Sequence, residues 1–159
     1  MNELKDFFGA SVGAASALIG LLFVAITLAP EKVFGPSADS QKRGQAIGAF
    51  IALANVFFVS LAALIPDATA LVVIVVALIA IYQIVRESIT MARAFPELRG
   101  WHRFGLIALC IYALELALAV RLATKTGHPR GLVYTVLGLY GYALGTSWSL
   151  LGAHESKHK

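Results

Sequence analysis

Charge is what this sequence has least of. Asp, Glu, Lys and Arg make up 14% of its 159 residues, where soluble domains carry about a quarter. With 58% hydrophobic residues, that deficit excludes an ordinary soluble domain and points to an integral membrane protein. No polar interval is long enough for a separate soluble domain, so 1–159 reads as one transmembrane domain. The single cysteine, Cys110, lies inside an apolar run; it excludes an internal disulfide and reads as a small packing residue. Several chemistries lack their parts. There is no phosphate-cradling Gly-Lys-Ser/Thr loop, no Cys-x-x-Cys and no G-x-S-x-G elbow. An Arg-rich voltage-sensing helix and a carbonyl filter of the T-V-G-Y-G kind are missing too. The sequence therefore carries no expectation of a cofactor or of enzymatic activity.

What is present is a series of long apolar runs. The expected fold is all-α, a polytopic helix bundle with transmembrane spans at about 7–29, 47–65, 68–85, 104–122 and 131–151. Phe7 to Ala29 is uncharged and crosses a bilayer at helical rise. Glu3 and Asp6 before it argue against a cleaved signal peptide, which starts positively charged. From Ala46 to Tyr82 the chain is almost continuously apolar. A single helix of that length would measure about 55 Å, nearly twice a bilayer core. It must fold back, and Pro66-Asp67 is where proline disfavours helix before it and Asp67 can cap the next one. The runner-up is four spans, with one hairpin helix only partly inserted. Beyond Val85 a helical extension is expected to end near Pro96.

Orientation follows from the bases. Lys32, Lys42, Arg43, Arg86, Arg93, Arg99, Arg103, Lys157 and Lys159 fall on one side, against Lys5, Arg121, Lys125 and Arg130 on the other. The positive-inside rule makes the richer side cytoplasmic, with the N-terminus outside and the C-terminus inside. A net charge of +4 held in short loops beside apolar segments suits anionic lipid headgroups, not nucleic acid. Arg86, Arg93, Arg99 and Arg103 are the headgroup candidates, with Trp101 as an interfacial anchor. Small residues recur at Gly9, Gly13 and Gly20 in the first span and at Gly138, Gly141 and Gly145 in the last. Such seams let helices approach closely, either to each other or to a second copy in a homo-oligomer.

The one residue that breaks the pattern is Glu115, within the apolar run Phe104–Leu122. At about 1.5 Å per residue it lies roughly 16 Å from one end and 10 Å from the other. A carboxylate at that depth costs on the order of 2.5–3.5 kcal/mol on insertion scales, so it faces protein or water rather than lipid. Tyr112 shares its helix face. Asn55 matches its depth on the second span, and Ser16 on the first. Two readings follow. One is a proton or cation site in a small oligomeric channel or transporter, the usual role of an intramembrane carboxyl. The other is a structural clasp in a non-catalytic accessory or scaffolding subunit.

A second constellation, His154-Glu155-Ser156-Lys157-His158, matches H-E-x-x-H, whose histidines bind zinc from one helix face beside a glutamate base. Only Lys159 follows, so no downstream third ligand is supplied. A membrane metalloprotease is a distant third reading, and His154 and His158 are weak metal candidates.

The stretch Ala17-Leu-Ile-Gly-Leu-Leu-Phe-Val-Ala-Ile-Thr27 resembles the first helix of a family of small uncharacterised bacterial inner-membrane proteins. The resemblance implies a bacterial inner membrane. It brings no activity and no functional residue with it.

Overall fold

The computed structural model describes residues 2–28, 30, 40–65, 69–94 and 101–152. It is all-helical over these residues: α1 Asn2–Leu28, α2 Ser40–Ala63, α3 Thr69–Ala94, α4 Trp101–Ala123 and α5 Arg130–Gly152. The elements are longer than the apolar runs. α1 begins with Glu3 in its first turn, where a carboxylate complements the helix dipole. α2 starts at Ser40, ahead of the expected Ile47, because Gln41 to Gly44 continue the same helix as its polar first turns. α3 runs to Ala94 as the extension beyond Val85.

Two connections show how the turns are closed. At the α2–α3 hairpin the Thr69 hydroxyl donates to the carbonyls of Ala62 and Ile65 at 3.0 and 2.9 Å, tying the start of α3 to the end of α2. The expected Asp67 cap lies outside the described residues. α4 ends in a Schellman turn. Thr126 N–H donates to Arg121 O at 3.0 Å and Lys125 N–H to Leu122 O at 3.0 Å, satisfying carbonyls the helix leaves open. Lys125 takes the left-handed conformation there, φ 57°, a position glycine usually fills. Gly127 follows where a Cβ would meet the Arg121 backbone at 3.1 Å.

α2 is the hub. It packs against α1, α3 and α5, while α4 packs against α3 and α5. Buried positions accordingly run nearly all the way round α2, including Ala46, Ala49, Ala52, Leu53, Asn55, Val56, Val59 and Ser60. The outer helices bury single stripes: Ala108, Tyr112, Glu115 and Ala119 on α4, and Leu132, Thr135, Val136, Leu139 and Ala143 on α5. These follow the i, i+3, i+4, i+7 spacing of one helix face. The buried faces are rich in alanine, and at three helix contacts a Cβ is missing, one of them Gly131, where a methyl would stand 2.9 Å from Leu118 Cδ2. A methyl at Gly48 would stand 2.9 Å from the Tyr142 hydroxyl, and one at Gly105 3.1 Å from Ser88 Oγ.

Large apolar side chains face outward. Leu21, Phe23, Leu71, Tyr82, Leu106, Leu144 and Trp148 are all mostly exposed, a continuous apolar exterior that suits lipid and would not suit water. Four helices are long and apolar enough to cross a membrane: Glu3–Leu28, Arg43–Ala63, Thr69–Thr90 and Gly105–Ala123. The chain is thus a membrane-embedded helical protein. α5 has 23 residues, enough to span, but Tyr134, Tyr140, Tyr142 and its glycines dilute its apolar character. It is not among the four.

Candidate functional site

α4 turns Glu115 directly into the bundle, one turn from Tyr112 on the same stripe. Glu115 and Tyr112 are 0% exposed and Asn55 is 2% exposed. α2 presents Asn55 to them, and the Asn55 amide Nδ2 donates to Glu115 Oε1 at 3.3 Å. That is a long hydrogen bond. Three further atoms of this trio have no hydrogen-bond partner: Asn55 Oδ1, Tyr112 Oη and Glu115 Oε2. They are the full set of such buried side-chain atoms among the described residues. Most buried polar groups in folded proteins are paired, and each one left open costs about 1–3 kcal/mol.

The chemistry of this trio is lopsided. Asn55 Oδ1 and an ionised Glu115 Oε2 only accept; the Tyr112 hydroxyl can donate once. The cluster is short of hydrogen donors and rich in hard oxygens. One added proton on the carboxyl, or one small cation among the oxygens, corrects that imbalance. Tyr142 on α5 occupies the space that Gly48 leaves clear.

A second polar cluster sits between α1, α2 and α5 and was not signalled by the sequence. The Ser60 hydroxyl donates to Ser11 Oγ at 2.9 Å, Ser11 Oγ and Tyr140 Oη are 3.1 Å apart, and Tyr140 donates to the Ser11 carbonyl at 2.6 Å. Ser60's proton goes to Ser11, Ser11's to Tyr140 and Tyr140's to the backbone, so every hydroxyl is used. Isolated serines are common in membrane helices as helix-bonded residues, and nothing in their spacing marks these two. Only the three-helix contact does.

The remaining candidates are spread out. Ser16 is exposed on the outer side of α1 and bonds its own helix at the Val12 carbonyl, 2.8 Å. It shares the depth of Glu115 but not its side of the bundle. A Cβ at Gly9, Gly13, Gly20, Gly141 or Gly145 would meet nothing within 4 Å, and only Gly138 touches a neighbour, the Ile111 side chain at 3.7 Å. The two glycine seams therefore do not pack on each other: Gly9, Gly13, Gly20, Gly141 and Gly145 face away from the core, and Gly138 packs on α4. Arg86 is exposed on α3. Arg99, His154 and His158 lie outside the described residues, and of Arg93, Trp101 and Arg103 only the helical backbone is described. Among the described residues no group of three His, Cys, Asp or Glu could hold a metal.

Compared with protein families, with curated proteins and with solved structures, the chain finds no match.

Proposed function

We propose that this protein moves protons or small monovalent cations across a membrane, with Glu115 as the binding group and Asn55 and Tyr112 beside it. The observation that carries the reading is the set of three buried oxygens left without partners at one point inside the bundle. A clasp serving stability alone gains by closing its bonds. A transport site must keep capacity for a species that arrives and leaves. Hard oxygen ligands at low dielectric suit a proton or an alkali cation better than a soft metal. On this reading all five helices span, α5 included, because its tyrosines line the bundle's interior or its lipid boundary. The N-terminus is outside and the basic loops face an anionic cytoplasmic leaflet of a bacterial inner membrane. The outward glycine seams on α1 and α5 are where a second copy would dock.

A second reading rests on a different observation: Glu115 is fully enclosed and already bonded to Asn55. A non-transporting accessory subunit would use such a pair as a fastening. The experiment that separates the two is flux in liposomes loaded with purified protein under proton, Na⁺ and K⁺ gradients, comparing wild type with Glu115→Gln. Glutamine preserves size and polarity but removes the ionisable group. Wild-type flux that is lost in a folded Glu115→Gln protein supports transport. Absence of flux from wild type under every gradient rejects it in favour of the accessory subunit.

A further inference from the structure

A different set of residues addresses how Glu115 is reached, and the inference drawn from it rests on the reading of Glu115 as a protonatable site. At the end of the bundle where α2 and α4 begin, four helices converge on a small cavity of about 20 Å³. That exceeds the roughly 10–15 Å³ a single water needs. Two glycines keep it open. A Cβ on Gly48 would collide with the Tyr142 hydroxyl at 2.9 Å, and one on Gly105 would press on Ser88 Oγ at 3.1 Å. Those same contacts show that Tyr142 Oη and Ser88 Oγ front the space. Glu87 completes the lining, one helical position from Ser88 and half-buried. A water placed there has a carboxylate, an alcohol and a phenol around it, the two to four polar partners that buried water requires.

The cavity is aligned with the site. Gly105 and Glu115 are on one helix, about 15 Å apart by helical rise, and Tyr112 lies between them. Tyr112 follows Gly105 by seven residues, two turns along the same face of α4, and its hydroxyl hydrogen-bonds to neither Tyr142 nor Glu115. In order from the bundle end, the polar groups are Glu87 with Ser88, the cavity, Tyr142, Tyr112, then Glu115 with Asn55. The other charged groups described at this end are Arg43 on α2 and Arg86 on α3.

We propose that this cavity holds a water that passes protons from Glu87 to Tyr142, and that this line is the route by which Glu115 is protonated. The step balances as a relay. Glu87, recharged from solvent, gives its proton to the water, which releases another to Tyr142. Each phenol accepts one proton on its oxygen as it releases its own, and the Glu115 carboxylate gains the last. Water and both tyrosines end unchanged, and hydroxyl rotation resets them. Tyr112 is the break in the line, the point at which transfer waits on a small movement. Glu87 and Tyr142 are proton-relay groups of this route, not ligands of the bound species.

The test uses full-length protein in lipid nanodiscs and two readouts. Water-edited solid-state NMR on tyrosine-labelled protein asks whether Tyr142 contacts water. Time-resolved infrared spectroscopy after a pH jump follows the carboxyl band that Glu115→Gln abolishes. The route predicts early water-to-Tyr142 transfer, and protonation of Glu115 slowed at least tenfold in Tyr142→Phe and in Glu87→Gln. Ser60→Ala, away from this cavity, serves as a control and leaves the rate unchanged. A dry Tyr142, or unchanged rates in both variants while the Glu115 band still titrates, overturns the route but leaves the site standing. A wet Tyr142 with no Glu115 band that responds to pH overturns the site and the route together. Tyr142→Phe removes one oxygen from a bundle it otherwise fills, and Glu87→Gln alters a half-buried side chain, so one variant covers for the other if either folds poorly.

Discussion

The Ser11–Ser60–Tyr140 and Asn55–Tyr112–Glu115 clusters share the hub helix α2 and differ in how their hydrogens are placed. In the first, each hydroxyl proton has an acceptor within 3.1 Å. In the second, one long bond of 3.3 Å is made and three atoms stay open. Both clusters are enclosed by the same kind of apolar helix face, so burial alone does not separate them. Satisfaction does. A closed cluster resists change in proportion to its bonds; an open one is more stable with something added, or with its polar atoms removed.

That contrast can be broken most sharply by making each cluster apolar. Paired substitution Asn55→Leu with Glu115→Met removes two of the three open atoms, Asn55 Oδ1 and Glu115 Oε2, and replacing both partners of a strained polar pair is neutral or stabilising. We expect unfolding stability in detergent to rise by about 1–3 kcal/mol while transport is lost entirely. Next in size, Tyr140→Phe takes away the acceptor of the Ser11 hydroxyl and the donor to the Ser11 carbonyl. Membrane hydrogen bonds average about 0.6 and reach about 1.7 kcal/mol, so a loss of that order is expected in a denaturant titration, with transport intact. If Tyr140→Phe stabilised the protein, the closed cluster would not be a fastening.

A third variant sharpens the comparison at the neighbouring helix contact. Gly48→Ala places a methyl 2.9 Å from Tyr142 Oη, an overpacking expected to cost about 1 kcal/mol or slightly more. Because the clash is with the hydroxyl, Tyr142→Phe should recover most of that loss, and a double-mutant cycle reads the coupling directly. Smallest is Lys125→Gly. The left-handed φ of 57° costs a side-chain-bearing residue about 1–2 kcal/mol. Glycine gives back part of this through its greater freedom in the unfolded chain. A modest gain in thermal stability is expected, without effect on transport.

How much of this was legible in the sequence can be traced through particular residues. The helices were, because uncharged runs such as Phe7–Ala29 have few alternatives in a bilayer. The proximity of Asn55 and Glu115 was foreshadowed by depth matching, since counting along a helix gives height in the membrane. Angle about the helix axis was not foreshadowed. In a soluble helix polar residues mark the outer face, but here Leu21 and Phe23 face lipid while Ala15 faces protein, and both sides read as apolar. Ser16 shows the consequence: right in depth, it points away from the bundle. The glycines show it again. Gly9, Gly13, Gly141 and Gly145 line outer faces, while the internal contacts fall mostly to alanines that the sequence does not distinguish from lipid-facing ones. The Ser11–Ser60–Tyr140 cluster joins three helices, and no local spacing encodes such a meeting.

The central claim is that the open cluster is a transport site and the closed one a fastening. The most direct measurement is ion and proton flux in liposomes for wild type, Glu115→Gln and Tyr140→Phe, reconstituted at equal folded amounts. The account predicts flux in wild type and in Tyr140→Phe and none in Glu115→Gln. Equal flux in all three proteins, or loss of flux in Tyr140→Phe with Glu115→Gln unaffected, would contradict it.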